Sequence, residues 1–437
     1  MRRGGGPTGR RLAGIAAVAA MALLAAGCTS SGPATPKASP AANTRTSAGT
    51  KTTTATTKIT ITPANGAAAA DPSAGITVTA AGGILTGVTV RTPDGTVPGR
   101  LSPDRQAWHS LWALAVSQSY TVTATATGKD GKAVTTATSA FRTLTPPRTF
   151  STEILEGYGQ TYGVGMPIIL YFSQPITDKA AVERALQVTT SVPVVGAWYW
   201  DEPCNMAATC AYFRPRDYWP AGTTVSFTGH LDGVQGAPGV YGDHTLTQTF
   251  RIGPSLIAVG NTQTHRTQIY YNGKLRYDWP ISSGKPGDAT PDGSYLTIEK
   301  ANPVLMTGPG YSLEVPWSVR FTFSGDYYHD AYWSVGEQGF ENVSHGCVNL
   351  SPADAQTYYN LAVPGDPITI TGSPKGGTWD NGWTEWFLSW PQYLKGSATG
   401  QAVMAGPGGS TFVDPSSLPA QVVTAPLQTS PAGNATA

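Results

Sequence analysis

The chain has 437 residues, of which 13% are charged, and its formal net charge is +1. Charge this sparse and this balanced excludes a nucleic-acid partner. With 51 Gly and 35 Pro, the composition excludes an architecture of long helices and favours strands, turns and linkers. The length accommodates roughly two to four domains.

Residues 1–28 read as a secretory segment. Arg2, Arg3, Arg10 and Arg11 precede an apolar run over 12–26 that is short for a bilayer span and right for a signal sequence. The run closes Leu24-Ala25-Ala26-Gly27-Cys28. Small residues before a cysteine resemble a bacterial lipoprotein cleavage site, with Cys28 becoming the lipidated first residue. Leu24 lies one place further from the cysteine than in the commonest pattern, and Arg10-Arg11 also fits twin-arginine export. Either route takes the protein out of the cytoplasm, and a lipid on Cys28 would make the membrane a partner, with the rest of the chain facing outward. Residues 29–57 are Thr, Ser, Ala, Pro and Lys with few large apolar side chains, so they cannot offset their ordering entropy and read as a disordered tether.

From 58 to 146 the pattern has period two. Ile59-Thr60-Ile61-Thr62, Ile76-Thr77-Val78-Thr79 and Tyr120-Thr121-Val122-Thr123 alternate apolar and hydroxyl side chains, as a sheet with one buried face requires. Asp94-Gly95 and Asp130-Gly131 supply turns. The spacing predicts an immunoglobulin-like sandwich, with Trp108 and Trp112 in its core or at a domain contact. Consecutive prolines at Pro146-Pro147 mark a boundary. A second sandwich of the same kind is expected over 147–253, with a buried strand at Ile168 to Phe172 and a short helix over 179–186 capped by Asp178. Trp198, Tyr199, Trp200, Tyr212, Phe213, Tyr218 and Trp219 read as core and interface rather than as a carbohydrate platform. Cys204 and Cys210 close a short loop and, outside the cytoplasm, are expected to pair.

A third unit over 254–373 starts with a strand at Leu256 to Val259 and a hairpin through Asn272-Gly273. The Gly- and Pro-containing stretch 299–316 reads equally as a lid or as an ordinary surface loop. Ser351-Pro352 fits a helix cap with proline in the first turn, and 366–370 a last strand. Between these lies Ser344-His345-Gly346-Cys347-Val348-Asn349-Leu350, with His329-Asp330 upstream. With Cys28 lipidated and Cys204 paired to Cys210, Cys347 is left as the free thiol of an exported chain. A thiol near pKa 8.5 needs a neighbouring base to act as a nucleophile, and histidine is the usual one. Gly346 would leave backbone N–H groups uncovered beside the sulfur to receive an oxyanion. A zinc site is disfavoured because no further Cys or clustered His completes a ligand set.

Ser344-His345-Gly346-Cys347-Val348-Asn349 with an upstream histidine resembles the signature of the L,D-transpeptidases, which cross-link peptidoglycan. The resemblance implies a mainly β fold: two immunoglobulin-like sandwiches, a catalytic β domain and a tryptophan-rich strap. It implies Cys347 as nucleophile and His329 as base, with His345 and Gly346 shaping the oxyanion side. Tyr311, Asp330, Trp333, Ser344 and Asn349 would line the substrate groove. Asp330 departs from the Ser or Gly of better-known members. There a backbone carbonyl orients the histidine, and an acid at this position is expected to raise the pKa of His329. The implied reaction joins peptidoglycan stem peptides 3→3 through a thioester on a tetrapeptide donor, releasing D-Ala, in wall building and cell shape. It needs no metal or organic cofactor and is blocked by carbapenem β-lactams. An L,D-carboxypeptidase, with water as acceptor, and an inactive wall-binding protein are the alternatives. A sortase is disfavoured because no arginine follows Cys347, and a papain-like peptidase because it places Cys before His.

Trp379, Trp383, Trp386 and Trp390 are spaced as one face of a short or irregular helix, expected over 374–400 as a strap on the catalytic domain. Residues 401–437, rich in Ala, Pro, Ser, Thr and Gly, read as a disordered tail.

Overall fold

The computed structural model describes residues 57–419 apart from Pro203, Asn205 and Pro309. The secretory segment, Cys28 and all of the tether except Thr57 lie outside the described residues, as does the tail from 420. Among the described residues no helix is long and apolar enough to cross a membrane.

Two four-stranded sheets form the first sandwich. One orders Lys58–Thr62, Thr77–Ala81, Ala107–Ser110 and Gly99–Leu101; the other orders Gly95–Thr96, Gly83–Thr92, Ser119–Gly128 and Val134–Arg142. Alternation along Ser119–Gly128 turns Tyr120, Val122, Ala124 and Ala126 inward against Val78, Val90 and Trp108. Trp112 stacks on His230 of the second sandwich, with ring centroids 3.7 Å apart. Each tryptophan thus takes one of the two expected places.

In the second sandwich a four-stranded sheet, Thr161–Tyr162, Leu246–Ile252, Thr224–Gly229 and Leu186–Thr190, faces a six-stranded one. Trp198, Phe213, Trp219 and Phe227 are buried between them. Asp178 caps a helix that stops at Arg184, because Leu186 already begins a strand. Cys204 and Cys210 are joined. The six-stranded sheet corrects the reading of the C-terminus. Ala402–Gly406 and Gly409–Val413 form a hairpin that extends it, pairing Val194 with Ala405 and Gly196 with Val403. Residues 402–413 are therefore strands of the second sandwich and not a disordered tail.

The strap also departs from expectation. A 3-10 turn, Glu385–Phe387, and a five-residue helix, Trp390–Leu394, replace a continuous tryptophan face. It packs mainly on the second sandwich rather than on the catalytic unit alone. Buried Arg214 is caged by Trp386 and Tyr393, each 4.3 Å from its guanidinium, and donates to Leu388 O. Trp386 Nε1 donates to Gly165 O, while Phe387 packs edge-on to Tyr295 of the third unit. The strap thus ties two domains together. Gly165 N–H also donates to Gly365 O of the third unit.

The third unit has a five-stranded sheet ordered Lys274–Pro280, Arg266–Tyr271, Leu256–Asn261, Pro367–Thr371 and Gly293–Leu296. The first two of these join through Asn272 and Gly273, both at positive φ, as a tight hairpin requires. A four-stranded sheet orders Glu299–Ala301, Ser318–Arg320, Tyr327–Asp330 and Val348–Leu350. Tyr295, Tyr328, Val348, Leu350 and Ile368 meet in the core. Ser351 caps the helix Pro352–Leu361 by accepting from Asp354 N–H. The stretch 299–316 is a strand followed by the hairpin Val304–Gly308/Tyr311–Val315.

Because Val403 and Ala405 are buried in the second sandwich, a chain ending at Gly400 should melt lower by roughly 5 °C or more. An unchanged melting temperature would show that the terminal hairpin adds nothing to that core.

Candidate active site

The strand Tyr327–Asp330 pairs in parallel with Val348–Leu350, setting Tyr328 against Val348, His329 against Asn349 and Asp330 against Leu350. Cys347, just before the second strand, therefore comes alongside Tyr327. Side chains alternate, so His329 shares one face with Cys347 and Asn349. Tyr328, Val348 and Leu350 point to the core. His329, Cys347 and Asn349 all open onto one cleft of about 400 Å³. Met306, Tyr311, Leu313 and Val315 of the Val304–Val315 hairpin form one wall, and Trp333, Ser334, Glu337, Val343, Ser344 and His345 complete it.

Alternation also corrects the place of Asp330. It falls on the face opposite His329, is buried, and does not line the cleft. Its carbonyl does orient the histidine: His329 Nδ1 donates to Asp330 O at 2.8 Å. A carbonyl only accepts, so Nδ1 carries the ring proton and Nε2 holds the free lone pair. The expected rise in the His329 pKa is not found. Burial of the ring pushes it down to about 4, against the weaker upward effect of the bond to Asp330 O. The ring is therefore neutral through physiological pH, with the Nε2 lone pair free to accept a proton.

Cys347 is half-buried and is the free cysteine among the described residues. Burial pushes its thiol up to about 12; the Asp326 carboxylate adds to the rise, and the Tyr327 N–H offsets part of it. Its Sγ lies 3.8 Å from Gly325 O, the contact of an S–H donor. At rest the pair is a neutral thiol and a neutral imidazole.

Around the cysteine the turn is held by side chain to backbone bonds. Ser344 Oγ donates to Cys347 O at 2.6 Å and accepts from Gly346 N–H at 3.2 Å. Thr290 Oγ1 donates to Gly346 O at 2.7 Å. This overturns one expectation: the Gly346 amide is taken by Ser344 and is not free for an oxyanion. The glycine is required for another reason. Its φ is +131°, and a Cβ there would meet Asp326 Oδ1 at 2.3 Å. His345 is exposed at the rim, its Nε2 2.7 Å from Lys285 Nζ and its ring 5.2 Å from that of Tyr311, rather than beside the sulfur as an oxyanion donor. Trp333 stacks on His329 at 5.9 Å. Asn349 Nδ2 donates to Ser334 Oγ, and its buried Oδ1 has no donor. Sequence reading missed Asp326, Tyr327 and Lys285, which come from segments without a motif of their own. Among the described residues no group of three or more His, Cys, Asp or Glu is placed to hold a metal ion.

The chain is similar to known proteins. An L,D-transpeptidase catalytic domain model matches residues 255–370, and a bacterial Ig domain model matches 67–235. L,D-transpeptidase 5 of Mycobacterium tuberculosis is 36% identical over 354 residues, spanning 78% of this chain and 77% of that protein. The chain belongs to the L,D-transpeptidase family. L,D-transpeptidase 2 of the same species is 33% identical over 78% of this chain and 85% of its own length. A solved LD transpeptidase in complex with imipenem is 35% identical and covers 50% of this chain and 97% of that one, with a TM-score of 0.42.

The protonation states predict a pH profile for alkylation of Cys347 by iodoacetamide. With His329 as base and both groups neutral at rest, the rate should be flat through neutrality and fall only as the ring protonates near pH 4. His329→Ala should remove the flat region and leave a slower rate rising about tenfold per pH unit with the thiolate. A profile unchanged by His329→Ala would move the base to another residue, His345 first.

Proposed function

We propose that this family member forms 3→3 peptidoglycan cross-links, with Cys347 as nucleophile and His329 as base. The observation that supports this most directly is the shared cleft face of Cys347 and His329, with Nδ1 of the histidine fixed on Asp330 O and Nε2 left to accept a proton. The sulfur attacks the carbonyl at the L centre of the diamino acid in a tetrapeptide donor. An S–C bond forms, and the C–N bond to D-Ala breaks. His329 Nε2 takes the thiol proton and returns it to the leaving amine. The amine of an acceptor stem then attacks the thioester and passes its proton to His329, and the sulfur leaves as thiol.

A neutral resting pair suits this sequence, because charge develops only as the bond forms. The Tyr327 N–H, which faces the sulfur at rest, is a backbone donor beside the reacting atoms. A carbapenem offers a strained carbonyl to the same sulfur. Lipid attachment at Cys28 would hold the enzyme at the outer face of the membrane, within reach of the wall.

Cys347→Ala should abolish cross-linking of purified muropeptides while leaving the melting temperature within about 2 °C of the parent. Retained cross-linking would remove the nucleophile from this reading. Treatment with a carbapenem should add one drug mass to the intact protein, mapping to the peptide that contains Cys347. An adduct on any other residue would place the reactive centre elsewhere.

A further inference from the structure

The rim of the cleft carries one cation whose bonds do not commit it to the fold. Lys285 Nζ stands 2.7 Å from His345 Nε2 and 3.4 Å from Asp288 Oδ2, and its side chain is partly exposed. Its backbone is anchored beside the nucleophile's turn, the Lys285 N–H donating to Ser344 O at 2.9 Å. An ammonium can only donate, so His345 accepts on Nε2 and carries its proton on Nδ1. Among the described residues that Nδ1–H meets no protein acceptor. Arg320, the other cation near the catalytic strands, is occupied: its guanidinium donates to Thr322 O, Phe323 O and Glu299 Oε1. Acidic groups also stand around the cleft: Asp288 beside Lys285 itself, Asp326 against Gly346 and Glu337 on the wall.

We propose that Lys285, together with Nδ1–H of His345, binds the terminal carboxylate of the donor peptide, that of the D-Ala which leaves. The proposal deepens the L,D-transpeptidase reading and rests on it. In a tetrapeptide the residue after the scissile bond ends in a carboxylate, separated from the scissile carbonyl only by the amide nitrogen and one Cα. In a pentapeptide the same position is a neutral amide bond. A cation held against His345, two residues before the nucleophile, therefore reads the length of the stem. It also offsets the repulsion that an anion entering beside Asp326 and Glu337 would meet. The ammonium supplies the charge and the imidazole a directed N–H, the combination that makes charge-assisted hydrogen bonds to carboxylates strong.

The test separates binding from chemistry. In the full-length Cys347→Ala protein, calorimetric titration with a tetrapeptide stem as free acid and as its C-terminal amide should show the acid binding about tenfold tighter. Adding Lys285→Ala should erase that difference, and Lys285→Arg should keep most of it. Equal affinity for acid and amide, or a preference that survives Lys285→Ala, overturns the proposal. With Cys347 intact, Lys285→Ala should raise KM for the acid about tenfold with kcat little changed, and iodoacetamide should alkylate Cys347 at the parent rate. Slowed alkylation would instead assign Lys285 to tuning the thiol. Absence of transfer by the parent enzyme would count against the L,D-transpeptidase reading, while the titrations in the Cys347→Ala protein still decide what Lys285 binds.

Discussion

The site depends on one parallel strand pairing. His329 and Cys347 come from segments separated by a long loop, and only the register that sets His329 against Asn349 puts them on one face. A slip of one residue would turn His329 toward the core and Tyr328 toward the cleft. The register is held from the buried side. Tyr328, Val348 and Leu350 are sealed in the hydrophobic core, and the hydroxyls of Tyr328 and Thr267 hydrogen-bond there at 3.1 Å. Packing on one face thus specifies chemistry on the other.

The same face is kept dry enough to hold both reacting groups neutral. Burial moves the histidine and the thiol in opposite directions, each toward its uncharged form. Asp326 strengthens this for the thiol, and its carboxylate is fixed by Thr322 and Ser324. Ser324 is in turn bonded to Asn381, in the tryptophan-rich segment. The strap that cages Arg214 on the second sandwich therefore also reaches the loop beside the nucleophile. The sandwich and the catalytic unit are linked through it and through the Gly165–Gly365 backbone contact.

Much of this is legible in the sequence wherever local chemistry decides the outcome. Asn272-Gly273 dictates a turn, Ser351-Pro352 a helix start, and the alternation through Tyr120 to Thr123 a half-buried strand. Cys347 stands out by counting thiols, and the histidine by proximity. What escapes is set by distant partners. The strands Ala402–Gly406 and Gly409–Val413 are short and mix Gly, Ala, Ser and Thr with a few larger apolar residues, and they become strands because a waiting sheet edge supplies their hydrogen bonds. Asp330 looks like a groove residue beside His329, but alternation sends it the other way. Gly346 looks like a donor of a free amide, whereas its hydrogen bond goes to Ser344 and its missing Cβ makes room for Asp326. Lys285 has no motif at all and reaches His345 only through the backbone bond of its own segment to Ser344.

The central claim is that Cys347 carries the donor stem as a thioester before any acceptor arrives. Intact-protein mass spectrometry, with a tetrapeptide donor and no acceptor, tests it directly. The account predicts a mass gain equal to the donor less D-Ala, mapping to Cys347, sensitive to hydroxylamine and discharged when an acceptor amine is added. Release of D-Ala with no covalent species at Cys347 under rapid quench, or an acyl group found on another residue, would contradict it.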